Sequence, residues 1–204
     1  RAALLGSLTG VFVGAGIHDF EGVVKASPTL SRNVYSATGS STSVMSGRLS
    51  FVLGMQGACA AYDTACSSAL VANHAAMRAL QLRECLDAVL VGVGLMLLPG
   101  VSISFGVAGM TSPHGACHTF DSRADGYARG EACTTTALST KPDARAFVSL
   151  LGSAVRCDGK SASLTAPNGQ AQRALLHAAL ECAGVGAAAL GRLEAHGTGT
   201  AVGD

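Results

Sequence analysis

Apolar residues along this chain fall into short runs set apart by Gly, Ser, Pro and Asp, and the runs are of two kinds. Gly10 to Val13, Ala58 to Thr64 and Asp87 to Leu95 are brief, with small or β-branched residues and almost no charge. Runs of that length and composition predict strands, the last of them fully apolar after its first residue. Between them, Ser41 to Leu53 sets Val44, Met45, Leu49 and Val52 at helical spacing, and Ser67 to Leu82 is rich in Ala and Leu behind two serines. Serine is well suited to open a helix. A Gly/Pro-rich loop and a polar middle section follow. Then come an expected strand near Phe147 to Arg156, a helix from Asn168 to Cys182 closed by Gly184, and a short strand into His196. Alternating strands and helices predict an α/β architecture, a largely parallel sheet covered by helices. No repeat, linker or low-complexity tract divides it.

The run Asp63-Thr64-Ala65-Cys66-Ser67-Ser68-Ala69-Leu70 places one cysteine between a predicted strand and a predicted helix. The N–H groups and positive dipole end of a helix favour thiolate over thiol, so Cys66 is a candidate nucleophile. A small cysteine packed in a strand-to-helix turn is the plainer alternative. Near the other end, Glu194-Ala195-His196-Gly197-Thr198-Gly199-Thr200-Ala201-Val202-Gly203-Asp204 leads a histidine into alternating Gly and Thr. Glycines let an extended ligand lie against the backbone, and threonine hydroxyls can hydrogen-bond its amides. Cysteine together with histidine suits covalent acyl transfer, the imidazole donating to a developing oxyanion or assisting thiol deprotonation.

With these runs the chain resembles the β-ketoacyl synthase family of polyketide and fatty acid synthases. The resemblance also rests on Val11-Phe12-Val13-Gly14, Ala37-Thr38-Gly39, Gly47 to Gly54, Phe120-Asp121, Ala124 to Glu131 and Leu164 to Gly169, in order along all 204 residues. It implies a thiolase-like layered αβαβα fold, of which residues 1–204 form a partial domain truncated at both ends. They would cover most of the N-terminal half and the start of the C-terminal half. It implies decarboxylative Claisen condensation, with Cys66 the acylated nucleophile, His196 the first of two histidines, and Thr198 and Thr200 holding a phosphopantetheine arm. That arm belongs to an acyl carrier protein partner; no metal or other cofactor is expected, and the full domain is expected to be a homodimer. A second histidine on an Asn-x-Gly-His loop, and a lysine before it, are expected beyond residue 204. The piece alone is therefore expected to be inactive and to leave apolar surface uncovered. His114, Ala116 and His118 depart from the Asp and basic residues usual there, which is expected to alter a docking surface. Product type, chain length and extender choice stay open.

Composition narrows the alternatives. Half the chain is apolar (49%), only 13% is charged and 4% is aromatic, which suits buried parallel strands under Ala/Gly-rich helices. A net charge of +1 with interspersed signs gives no nucleic-acid footprint. The longest uncharged apolar stretch, Ala88 to Ser104, is broken by Gly92, Gly94, Pro99 and Gly100 and is not expected to span a bilayer. Seven cysteines without a Cys-x-x-Cys pair are expected to be reduced, in an intracellular and by default cytoplasmic protein, an organelle staying open.

Several local motifs fail as sites of their own. His114, Cys117 and His118 are too compact for zinc and lack a second ligand pair. Read as a calcium loop, Asp121 to Glu131 puts Arg123 and Ala132 where oxygen ligands belong, so a structural loop with Arg123 or Arg129 paired to a carboxylate is expected. Gly14-Ala15-Gly16 lacks the third glycine of a dinucleotide loop, and Gly197 to Thr200 lacks the lysine of a phosphate loop. His18 and His177 show no chemical partner in the sequence, and His74, eight residues after Cys66 and on roughly the same side of the predicted helix, reads as a packed or hydrogen-bonded histidine. Two other classes stay open: a thiolase-fold enzyme acting on coenzyme A thioesters, and a non-condensing ketosynthase-like partner or scaffold.

Overall fold

The computed structural model describes residues 3–16, 19–141, 146–200 and 203. His18 and, in the Gly/Thr loop, Ala201, Val202 and Asp204 lie outside the described residues. The chain divides into two compact units, Arg1–Pro99 with Gly130–Ala146, and Gly100–Arg129 with Phe147–Asp204.

The first unit is built on a four-stranded sheet in the order β2-β1-β3-β4. Strand β1 (Thr9–Ala15) is buried along its whole length and pairs in parallel with β2 (Cys59–Tyr62) and β3 (Asp87–Gly94). Its alternation serves two cores. Val11, Val13 and Ala15 face Met45, Leu49 and Leu53 of α4 (Thr42–Leu53), and Phe12 faces Ala72, Ala76 and Leu80 of α5 (Ser68–Gln81). A strand covered on both faces by helices has no polar side to show, which is why the run is apolar throughout. Along α5 the buried residues Ser68, Ala72, Ala76 and Leu80 recur every fourth position, one stripe of a helix. Short helices α1 (Phe20–Ala26), α2 (Pro28–Ser31) and α3 (Ser36–Gly39) connect β1 to α4.

Strand β4 (Ala132–Ser139) lies in what the sequence presents as a polar section, and it pairs antiparallel with β3 from Asp87↔Ser139 to Gly94↔Ala132. Its Thr134-Thr135-Thr136 core is β-branched and favours a pleat, but the strand sits at the sheet edge and is exposed apart from half-buried Leu138. Edge position explains why it carries no apolar alternation.

The second unit contains α6 (Gly100–Val107) and α7 (Gly169–Ala183). Asn168 caps α7, its Oδ1 accepting from the N–H groups of Gln170 (3.1 Å) and Ala171 (3.2 Å). Gly184 ends it in the left-handed conformation, and the Val185 N–H returns to Leu180 O, a standard helix stop. Residues 147–156 and the approach to His196 are not strands. A strand is defined by its ladder, and these segments pair with none among the described residues; Phe147 and Val148 are 99% and 85% exposed. Gly152 instead lies against the end of α7, where a Cβ would come within 2.6 Å of the Ala183 nitrogen.

Candidate active site

At the C-terminal end of β2 the chain makes a tight turn of short-range hydrogen bonds. Asp63 Oδ1 accepts from the Ala65 N–H (3.1 Å), and the Thr64 N–H donates to Ser68 Oγ (2.9 Å). The Ser68 hydroxyl donates in turn to Ala65 O (2.7 Å), and the Ser67 hydroxyl reaches Thr64 O (2.9 Å). Ala65 is held at φ 55°, a left-handed conformation costing an alanine on the order of 1 kcal/mol. Ala65–Ser67 form a single 3-10 turn running into α5. The serines thus act differently from simple caps: Ser67 occupies the N-cap of α5 without a cap bond, and buried Ser68 braces the turn from inside the helix. Cys66, between them, is exposed.

Glycines bring this turn down onto the sheet. A Cβ on Gly14 would lie 2.5 Å from the backbone of Ser68 and Ala69, and one on Gly92, its partner in register, 3.1 Å from Ala69 Cβ. Gly16 sits against Ala65, whose carbonyl oxygen is 3.3 Å from where a Cβ would stand. Gly14 and Gly16 are therefore the seat of the Cys66 turn. Beside it lies a cavity of about 250 Å3 lined by residues including Gly16, Phe20, Ser41, Met45, Leu95 and Leu97. Asp19 closes one side, its Oδ2 accepting from the N–H groups of Leu97 (3.0 Å) and Leu98 (2.9 Å).

The second unit holds His196, which is exposed, and the half-buried Thr198 and Thr200, whose hydroxyls lie 3.0 Å apart. The glycines between them face the segment 118–126. Gly197 (φ 55°) accepts through its carbonyl from the Thr119 hydroxyl at 2.7 Å. Gly199 (φ 66°) accepts from the Gly126 N–H at 2.9 Å, and a Cβ on it would meet Gly126 O at 3.2 Å and the His118 nitrogen at 3.3 Å. Alternation of Gly and Thr thus has a direct cause: backbone crowds the glycines, while the threonine hydroxyls meet each other and Thr200 Oγ1 accepts from the Gly203 N–H at 3.1 Å.

Segment 112–129 is itself well tied. Arg123 grips Asp121 through two side-chain hydrogen bonds (2.9 and 2.8 Å). These, with the Arg123 backbone N–H, hold the Asp121 carboxyl far below the usual carboxylate range. Among the described residues Arg129 pairs with no carboxylate; it donates to Ser102 Oγ (2.5 Å) and lies over the Phe105 ring. His114 Nδ1 is 2.8 Å from Asp125 Oδ2. Hydrogen bonds from Ser112 and, secondarily, His114 lower the Asp125 carboxyl. Among the described residues no three His, Cys, Asp or Glu side chains gather as a metal site. Cys85 is the buried cysteine, and burial pushes its thiol up.

Cys66 belongs to the first unit and His196, Thr198 and Thr200 to the second; the structure brings the two threonines together directly. The sequence reading missed Thr119 and Gly126, the residues that hold the His196 loop, because their partners lie far along the chain. The only local signal was glycine in an otherwise charged stretch.

The family model for the β-ketoacyl synthase N-terminal domain matches residues 1–144, and that for the C-terminal domain matches residues 147–204. The chain belongs to the β-ketoacyl synthase family. It is 43% identical over 98% of its length to one phenolphthiocerol/phthiocerol polyketide synthase polypeptide of Mycobacterium tuberculosis, covering 9% of that protein, and 40% identical to another from the same organism, covering 13%. A solved oxazolomycin ketosynthase domain from Streptomyces albus superposes with a TM-score of 0.90 at 36% identity, covering all of this chain and 36% of that one. The ketosynthase from module 6 of the Bacillus subtilis bacillaene synthase gives 0.83 at 32% identity, covering 98% and 34%. These likenesses show the thiolase-like ketosynthase fold. The chain spans about a tenth of the curated relatives' length and about a third of the solved ketosynthase chains. No helix among the described residues is long and apolar enough to cross a membrane.

Proposed function

We propose that this chain contributes the nucleophile and the first histidine of a condensing ketosynthase in polyketide or fatty acid biosynthesis. The observation that carries this reading is the exposed Cys66 on a braced strand-to-helix turn in a member of this family. The Cys66 thiolate attacks the thioester carbonyl of an acyl group on an acyl carrier protein; the acyl–sulfur bond to the carrier breaks and the carrier thiol leaves. A malonyl-type group on a second carrier then loses CO2 to give an enolate. Its α-carbon bonds to the acyl carbonyl as the Cys66 thiolate departs, yielding a β-ketoacyl carrier. His196 donates to the enolate oxygen, and the Cys66 backbone N–H to the acyl oxyanion. Thr198 and Thr200 hold the carrier's phosphopantetheine arm, and the apolar cavity beside Gly16 takes the acyl chain. No metal or redox cofactor enters these steps, and the complete domain acts as a homodimer.

The test is made on the full ketosynthase polypeptide carrying this chain, given acyl carrier and malonyl carrier together. A carrier-bound β-ketoacyl product, lost in both Cys66→Ala and His196→Ala, is the expected result. A folded parent that forms no such product, or that prefers coenzyme A thioesters over carriers, contradicts it.

A further inference from the structure

We propose that Thr119 is a positioning residue for the loop that carries His196, tethering through its hydroxyl the peptide that follows the histidine; this rests on the condensing role given above to His196. The loop cannot set its own shape. Gly197 and Gly199 both stand in the left-handed region, and glycine passes among backbone conformations that other residues cannot reach. Rotation at Gly197 alone would swing His196 relative to Thr198 and Thr200. Two contacts remove that freedom: the Thr119 hydroxyl on Gly197 O (2.7 Å) and the Gly126 N–H on Gly199 O (2.9 Å).

These two contacts differ in kind. Gly126 is buried and locked, since a Cβ there would come within 2.5 Å of the Ser112 nitrogen and its φ of 125° excludes other residues. Thr119 is exposed, and its contribution is one hydroxyl plus the methyl that fills the space a Cβ on Gly197 would occupy at 2.6 Å. In a planar peptide the carbonyl and the next N–H point to opposite sides. Holding Gly197 O toward Thr119 therefore turns the Thr198 N–H away from Thr119. An exposed residue thereby fixes, through one hydroxyl, the peptide that follows the histidine.

The test compares Thr119→Val, which keeps the shape and loses the hydroxyl, with Thr119→Ser, which keeps the hydroxyl, in the full ketosynthase polypeptide. Thr119→Val is expected to lower kcat/KM for condensation about tenfold, chiefly in kcat, while Thr119→Ser stays within about twofold. Thr119→Val also speeds hydrogen exchange at the Gly126 amide, whose acceptor Gly199 O is released with the loop. Both variants keep the parent's unfolding midpoint and its rate of Cys66 alkylation. Equal losses in the two variants, or an unchanged Gly126 amide in Thr119→Val, overturn the proposal. A parent that neither loads Cys66 nor condenses overturns the functional reading, and the Gly126 exchange then decides the tether by itself.

Discussion

The turn around Cys66 and the loop around His196 are both short, each carries an exposed candidate side chain, and they are held in opposite ways. Around Cys66 the hydrogen bonds span two to four residues: Asp63 to Ala65, Ser67 to Thr64, Ser68 to Thr64 and Ala65. Around His196 the side-chain tether spans 78 residues, from Thr119 to Gly197. A locally braced turn is specified by its own sequence and forms as β2 passes into α5. A remotely tethered glycine loop depends on whatever holds the other end, so it can be shifted without disturbing the nucleophile. The two halves of the chemistry are thereby open to separate perturbation.

Cys66→Ala is the most severe way to test that separation. Condensation should fall to background while the melting midpoint moves little, since the exposed thiol packs against no core. Next is Gly14→Ala, which drives a Cβ into the Ser68 and Ala69 backbone. Thermal or urea unfolding should show a loss of about 3 kcal/mol, with α5 displaced and Cys66 chemistry lost along with stability. Ser68→Ala removes a buried hydroxyl that both accepts from Thr64 and donates to Ala65. A cost of about 1.5 kcal/mol is expected, together with a changed rate of Cys66 alkylation by iodoacetamide. Gly126 amide exchange in the second unit should not respond, and a response there would break the comparison.

Acid gives the mildest effect and strikes the other region. Asp125, beside Gly126, has its carboxyl lowered by Ser112 and then His114. A carboxyl lowered in the folded state stabilises above its unfolded value, about 3.9, and that contribution fades as pH falls through the lower folded value. The side-chain carboxyl carbon of Asp125 should therefore show its protonation midpoint in NMR below about 3.9, and a midpoint at or above that value contradicts the prediction.

The same contrast explains what could be read before folding. Val11, Phe12 and Val13, the α5 stripe, and the Asn168 and Gly184 ends of α7 are encoded by neighbours within a turn or a pleat, so their periodicity displays them. The strand-to-helix position of Cys66 was legible for the same reason, although the bracing by Ser68 rather than capping by Ser67 was not. Strand β4 was hidden because an exposed edge carries no apolar alternation, and the run 147–156 misled because apolar composition does not guarantee a ladder. Gly14 and Gly16 fail as a dinucleotide loop in the sequence, but nothing there names the Ser68, Ala69 and Ala65 backbone that sits against them. The tether from Thr119 and Gly126 was not legible, since nothing near them in sequence names Gly197 or Gly199.

The central claim is that Cys66 carries the acyl group between two carriers, and the most direct measurement is peptide-mapped mass spectrometry of the full ketosynthase polypeptide after incubation with acyl-loaded carrier. The account predicts an acyl adduct on Cys66, absent from the other exposed cysteines, that disappears when malonyl carrier is added. A folded protein with no adduct on Cys66, or with an adduct that malonyl carrier leaves in place, would contradict it.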